Sequence, residues 1–181
     1  MNAAPNFVLA VTRNTLMRIV RASGFSCSHF ILTKKGFDVM NSKKVLECSS
    51  KGDRKFSALY AKVSVFGVQD SIENHYQKSK RDSNGNPVKK GMPVAYMVIN
   101  NQRFPPGMLT DWYRLLWVKY LDKNPELVSY ARQFDEFTDM FRSRKTINCQ
   151  ADVVRDYLAD RNELVRSADA LVKELRKMTV A

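Results

Sequence analysis

The sequence predicts an α+β domain, with helices packed on a small sheet and a long amphipathic helix at the C-terminal end. Three observations carry that reading. Short alternating runs, above all Phe56-Ser57-Ala58-Leu59-Tyr60-Ala61-Lys62-Val63-Ser64-Val65-Phe66, have the two-residue period of strands. Residues 110–121 and 149–178 instead repeat apolar side chains every three or four positions, the period of helices. A chain of 181 residues, 44% of them apolar, suffices for one domain with a real core.

Residues 1–55 read as an N-terminal strand and helix extension of that domain. A strand is expected over 7–12 and a short helix over 15–21, capped by Thr12 or Asn14 and ended near Gly24. A strand at 29–33 turns through Lys34-Lys35-Gly36 into 37–40, and the Ser-rich stretch 41–55 reads as a loop around a short strand at 45–48. Residues 56–181 form the core of the domain. The strand 56–66 passes through Gly67 into a helix over 70–81, capped by Asp70 or Ser71. A hairpin insert spans 82–104, with a turn at Asp82-Ser83-Asn84-Gly85-Asn86-Pro87, a strand at 94–99 and a second turn at Asn100-Asn101. The Phe104-Pro105-Pro106-Gly107 elbow opens the helix 110–121. Asn124 and Pro125 suit the cap and first turn of a helix over 126–133, and 135–141 reads as a further helical piece. After the basic loop 142–145, one helix is expected over 149–178, with the stripe Val154, Leu158, Arg161, Val165, Ala168, Val172 and Leu175. That stripe packs within the chain, and it also suits a homodimer through the C-terminal helix.

Charge and cysteine use narrow the function classes. A net charge of +12 points to an anionic partner, nucleic acid before an anionic surface. The 3 cysteines, Cys27, Cys48 and Cys149, lie far apart with no Cys-x-x-Cys pair, and the 2 histidines make no cluster. A disulfide framework and a zinc site are therefore not expected, nor is any metal. No run nears the roughly 20 apolar residues needed to span a bilayer. The expectation is a cytoplasmic protein with no membrane association.

The chemistry concentrates in Ser71-Ile72-Glu73-Asn74-His75-Tyr76-Gln77-Lys78-Ser79-Lys80. On a helix, Glu73, Tyr76, Gln77 and Lys80 fall on one face, because residues three, four and seven apart align. A carboxylate, a phenol, an amide and an ammonium on one stripe can hold a polar ligand and exchange a proton with it. The plainer reading is a solvated helix face, and Lys80 and Lys62 then belong to the general basic surface. Trp112, Tyr113, Trp117 and Tyr120 at helical spacing read first as core, although Tyr113 and Trp117 share a face that could meet a ligand ring. Asn148 suits a cap for the last helix, whose N-terminus, preceded by Arg142, Arg144 and Lys145, would also attract phosphate. Cys149 reads as structural.

Taken in order, these pieces resemble the NADAR family of N-glycosidases. The family has a Phe-Ser-Asn-Phe-like motif followed by a Ser-Glu-His-Tyr-Phe-Gln-x-x-Lys-like helix, and Phe56-Ser57-Ala58-Leu59 and Ser71 to Lys80 look like those two motifs at similar separation. Lys119-Tyr120, Asn124-Pro125-Glu126-Leu127 and Asn148-Cys149-Gln150-Ala151 are similar to later family segments. Ala58 stands where the family has asparagine, and Gln150-Ala151 where it has Leu-Gly. The resemblance implies cleavage of the bond between a ribose and a base, without a cofactor, in substrates such as ADP-ribosylated guanine in DNA or ribosylated pyrimidines. Such a setting belongs to phage–host conflict or a toxin–antitoxin pair.

The roles that the resemblance implies are as follows. Glu73 offsets the positive charge that builds on the sugar as the base leaves, and deprotonates the incoming water. Lys80 or Lys62 contacts phosphate or sugar, and Asn148 orients sugar hydroxyls. Asp139 or Asp152 serves as a second acid, and Phe56, Ser57, Tyr76, Gln77 and Trp117 line the substrate. The expected partner is nucleic acid or an ADP-ribose-like nucleotide. Two other readings stand beside this one: a non-catalytic binding protein on the same scaffold, and an architectural DNA-binding protein.

Overall fold

The computed structural model describes residues 30–33, 36–39, 43–89, 91–139 and 149–180. The expected strand at 7–12, the helix at 15–21 and the basic loop 142–145 lie outside these residues. The chain divides into two compact units, Met1–Ser42 and Lys43–Ala181. In the first, β1 (Phe30–Thr33) and β2 (Gly36–Val39) form an antiparallel hairpin with Phe30 opposite Val39. Strand β1 falls within the strand expected at 29–33, and β2 covers most of 37–40, the segment expected to follow it.

The second unit is a set of small sheets under helices, the α+β arrangement expected. Its strands are β3 (Val45–Glu47), β4 (Lys62–Val65), β5 (Val68–Ser71), β6 (Lys80–Arg81), β7 (Tyr96–Ile99), β8 (Gln102–Phe104) and β9 (Glu136–Thr138). The pairs β3–β9 and β4–β5 stand separately, and β6–β7–β8 form a three-stranded sheet. Helix α1 (Ile72–Ser79) leads into β6, and α2 (Leu109–Asp122) and α3 (Pro125–Ala131) follow the hairpin insert. Helices α4 (Gln150–Arg166) and α5 (Asp169–Val180) close the chain. Helix α2 packs on α4, α1 and β4, which places it at the centre of the core. Trp117, Phe56, Ile72 and Met97 are each 0% exposed. Truncating a residue buried like Trp117 to alanine costs about 3–5 kcal/mol.

Three expectations need correction. The continuous strand over 56–66 does not form, because Asp53 starts a tight turn first. Its Oδ1 accepts the Lys55 N–H at 3.0 Å, and residues Arg54–Phe56 close a single 3-10 turn. The Ser57 carbonyl then accepts both the Tyr60 and Ala61 amides at 2.9 Å, so only Lys62–Val65 remains extended. Gly67 does not deliver that strand straight into a helix. Phe66 and Gly67 both have positive φ (49° and 78°) and form the two-residue turn of a hairpin in which Val65 faces Val68. Asn100 and Asn101 (46° and 63°) make the same turn between β7 and β8, at the expected place.

Secondly, residues 136–138 are a strand rather than helical. They pair in parallel with β3, and Lys44 donates its N–H to the Asp135 carboxylate at 2.8 Å while accepting the Asp135 N–H at 2.8 Å. A distant partner segment decides the conformation here, as it often does for short segments.

Thirdly, the single helix over 149–178 is broken. Asp160 leaves the helix (φ −154°, ψ 94°), and its carboxylate accepts the N–H groups of Asn162 at 2.9 Å and Glu163 at 3.0 Å. It therefore caps a fresh turn inside α4. A second break at Ser167 separates α4 from α5. The expected stripe is fully buried at Val154 and Ala168, each 0% exposed, but further on the buried position is Leu171, also 0% exposed, rather than Val172, and Arg161 is exposed.

Candidate active site

Helix α1 is anchored along its length. Ser71 Oγ accepts the Asn74 N–H at 3.1 Å, the expected cap. Asp70 accepts from Lys78 Nζ at 2.7 Å, Asn74 Nδ2 at 2.8 Å and the Ser71 N–H at 2.8 Å. These bonds, that from Lys78 foremost, hold the Asp70 carboxyl well below the usual carboxylate range. The first helical amides have acceptors in the preceding turn, Ile72 N–H to the Ala61 carbonyl and Glu73 N–H to the Ala58 carbonyl, both at 2.9 Å. A ring nitrogen of His75 lies 3.0 Å from the Val63 carbonyl and ties the helix to β4.

The exposed face of this anchored helix joins an acid to a base. Gln77 Nε2 donates to Glu73 Oε1 at 2.7 Å, and Lys80 Nζ donates to Gln77 Oε1 at 3.1 Å. The amide thus bridges carboxylate and ammonium. Lys80 Nζ also sits 3.7 Å from the Tyr76 ring centroid, a cation–π contact. Partial burial lowers the Lys80 pKa below the ordinary lysine value, and the charge of Glu73 works against that shift.

Beneath this relay lies a buried polar floor. The Tyr76 ring meets Tyr113 edge-on at 5.2 Å. Tyr113 is 4% exposed, and burial raises its phenol pKa, with the acidic groups of Glu73, Asp139 and Cys149 adding to the shift. Asp139 is 6% exposed and accepts a long bond from Cys149 Sγ at 3.8 Å. Burial raises the Cys149 thiol pKa, so Cys149 is no activated nucleophile.

Gln150 holds the two sides together. Its Oε1 accepts the Ala58 N–H at 2.7 Å, and its Nε2 donates to the Cys48 carbonyl. One side chain at the start of α4 thus fixes the turn that feeds α1 and the end of β3.

The sequence-predicted residues divide into three groups by location. Tyr76 meets Tyr113, Lys80 lies over Tyr76, and Gln77 joins Lys80 to Glu73, while Asp139 is bonded to Cys149. Phe56 and Trp117 are core residues, with Trp117 edge-on to Tyr120 at 5.7 Å, and Ser57 is 2% exposed beneath the 58–61 turn. Lys62 is exposed on β4 beside the buried Val63, and Asp152 is a surface residue ion-paired with Arg155 at 2.8 Å. Asn148 lies outside the described residues. Tyr113 was read first as core, with a face that could meet a ligand ring, and Gln150 was given no role of its own. The signal for Tyr113 was its four-residue spacing from Trp117, and that for Gln150 its position beside Asn148 at the head of the last helix. Among the described residues, no group of three His, Cys, Asp or Glu side chains is placed to hold a metal, and no helix is long and apolar enough to cross a membrane.

A family model described as the DarT1-associated NADAR antitoxin matches residues 87–171. No curated protein matches the chain. The matched stretch contains Tyr113, Asp139, Cys149 and Gln150, and the relay Glu73–Gln77–Lys80 precedes it.

Proposed function

We propose that this chain, whose residues 87–171 match the NADAR antitoxin model, hydrolyses the N-glycosidic bond between ribose and a base in an ADP-ribosylated or otherwise modified nucleotide or nucleic acid. The observation that carries the reading is the Glu73–Gln77–Lys80 relay, laid over Tyr76 and Tyr113. As the base departs, positive charge grows on the sugar, and an oriented carboxylate lowers that barrier. Gln77 orients Glu73 by its amide bond. The same carboxylate takes a proton from the attacking water. Lys80, held over an aromatic ring and partly desolvated, binds a phosphate or sugar oxygen. Asp139 is the second acid, and Asn148 completes the set as the group that orients sugar hydroxyls.

Glu73→Gln tests this reading, because it keeps the shape and the bond to Gln77 while removing the charge. Turnover of an ADP-ribosylated oligonucleotide should fall about 10²- to 10⁴-fold, with the melting temperature unchanged. Turnover that survives the substitution refutes the assignment.

A second reading has its own observation. Ala58 and Gln150, two positions that depart from the family pattern, are bonded to each other. The Ala58 N–H is thereby committed to structure, and its methyl side chain offers a ligand no amide. On that reading the protein binds a modified nucleotide without cleaving it. Recovery of chemically intact ligand after prolonged incubation supports binding alone, and any released base ends that idea.

A further inference from the structure

The turn that precedes the relay carries features the reaction does not use. Tyr60 is 48% exposed and Leu59 56%, although both sit in a turn whose neighbours Phe56, Ser57, Ala58 and Ala61 are buried. The Arg54 guanidinium lies 5.1 Å from the Tyr60 ring centroid, and among the described residues it has no ion pair with a carboxylate. Lys55 Nζ lies 4.8 Å from the Tyr130 ring and 3.9 Å from Asp53, so its charge is partly balanced. Lys51 and Lys62 flank the same turn in sequence, with Asp53 the sole acid between them.

The turn is rigid. The Asp53 side chain caps its start, the Ser57 carbonyl holds two amides, and the Tyr120 hydroxyl donates to the Lys55 carbonyl at 3.0 Å. It is also bonded directly to the catalytic helix, through the Ala58 carbonyl to the Glu73 N–H and the Ala61 carbonyl to the Ile72 N–H. Tyr60 lies two residues from Ala58, a reach of at most about 7 Å. An exposed ring with a planar cation over it, fixed beside a glycosidic site, matches the stacking platforms that hold unpaired bases while a cation takes the backbone phosphate.

We propose that the Arg54-to-Tyr60 turn is a subsite for the nucleotide next to the modified one, with Tyr60 stacking its base and Arg54 binding its phosphate. The substrate class that follows is a single-stranded nucleic acid rather than a free nucleotide. This inference rests on the glycosidase reading above, since it takes Glu73 as the neighbouring reaction centre. An unpaired strand fits better than a duplex, because a base within a stack offers no open face to Tyr60.

The experiment compares two substrates carrying the same ADP-ribosylated base, a mononucleotide and an oligodeoxynucleotide of roughly 12 nucleotides. Tyr60→Ala should raise KM on the oligonucleotide about 5- to 150-fold, the range for losing one base stack, and leave the mononucleotide KM unchanged. Tyr60→Phe, which keeps the ring, should behave as the unaltered protein. Arg54→Ala should also lower the slope of log Kd against log salt by about 0.7, one phosphate contact on a single strand. Equal losses on both substrates, or none on either, overturn the proposal. An unmodified labelled oligonucleotide separates this inference from its premise. If no base is released from any substrate the glycosidase reading fails, yet weaker binding of the unmodified strand by Tyr60→Ala still supports the platform, and unchanged binding rejects it. Oligoribonucleotides run in parallel decide which sugar the subsite accepts.

Discussion

Helices α1 and α4 both carry acidic and basic side chains at the spacing that brings them together on one face, and they use it differently. On α4, Arg155 reaches Asp152 at 2.8 Å and Arg166 reaches Glu163 at 2.7 Å, with every partner more than half exposed. Such pairs are screened and contribute at most about 0.5 kcal/mol. On α1, Glu73 and Lys80 do not touch but are joined through Gln77, and Lys80 is pulled out of water onto Tyr76. Direct pairing would have neutralised both groups. The bridging amide leaves each with spare bonding capacity at a fixed separation, which a reacting ligand needs. Charge spacing alone therefore does not set α1 apart from α4; the partial burial of Lys80 beside an aromatic ring does.

The largest effect should separate these two faces by function. Glu73→Gln is expected to remove nearly all turnover, as stated above, whereas Asp152→Asn, on the solvated face, should leave kcat and KM within about twofold, since an exposed pair is worth so little. Steady-state kinetics of both variants on one ADP-ribosylated oligonucleotide make the comparison. A loss of comparable size in Asp152→Asn would return the second-acid role to Asp152 and take it from Asp139.

The next effect tests the link between the regions. Gln150→Ala removes both buried bonds of its amide and leaves the Ala58 N–H and the Cys48 carbonyl without that partner. Each buried group so stranded costs about 1–3 kcal/mol, so the loss should total about 2–6 kcal/mol, read from urea denaturation. Because the Ala58 turn also accepts the Glu73 amide, turnover should fall before global unfolding does. An unaffected midpoint would show that water satisfies both groups.

How much of this was legible beforehand depended on whether the deciding contact was local. The α1 face could be read, because its residues lie within one helix and its cap, Ser71, is adjacent in sequence. The Asn100-Asn101 turn was readable for the same reason, asparagine being tolerant of positive φ. The turn at Gly67 was expected, but the hairpin it makes with Phe66, and with it strand β5, was missed because phenylalanine rarely takes positive φ. Strand β9 was missed because its partner, β3, lies some ninety positions away. Asp139 was named, but not its contact with Cys149, because the two lie ten positions apart in sequence. Asp160 was misread although its signature was present, with Glu163 three residues on as in a capping box; the apolar period through Leu158 and Val165 hid it.

A smaller effect concerns pH. The folded Asp70 carboxyl is held below its ordinary value, chiefly by Lys78. Stability from this network is therefore complete above the unfolded carboxylate range and is lost as pH falls through that range toward the folded value. Asp70→Asn should cost about 1 kcal/mol at neutral pH, and the difference from the unaltered protein should shrink toward zero in acid. Urea midpoints at several pH values read the difference. A gap that persists in strong acid would mean that Asp70 acts through its shape rather than its charge.

The smallest effect lies on α4, at the break that divides it. Arg166 spans the 2.7 Å pair with Glu163 and stands 3.8 Å from Asp160, the residue that caps the new turn. If the cap fixes the break, Glu163→Gln should cost no more than about 0.5 kcal/mol, the value of one exposed pair. Asp160→Ala, which deletes the acceptor for Asn162 and Glu163, should cost about 1 kcal/mol. The ranking of the two separates capping from ion pairing as the cause of the break. Were Glu163→Gln the more damaging, the charged face of α4 would be holding the kink, and the contrast with α1 would narrow, since both helices would then use their charges to fix geometry.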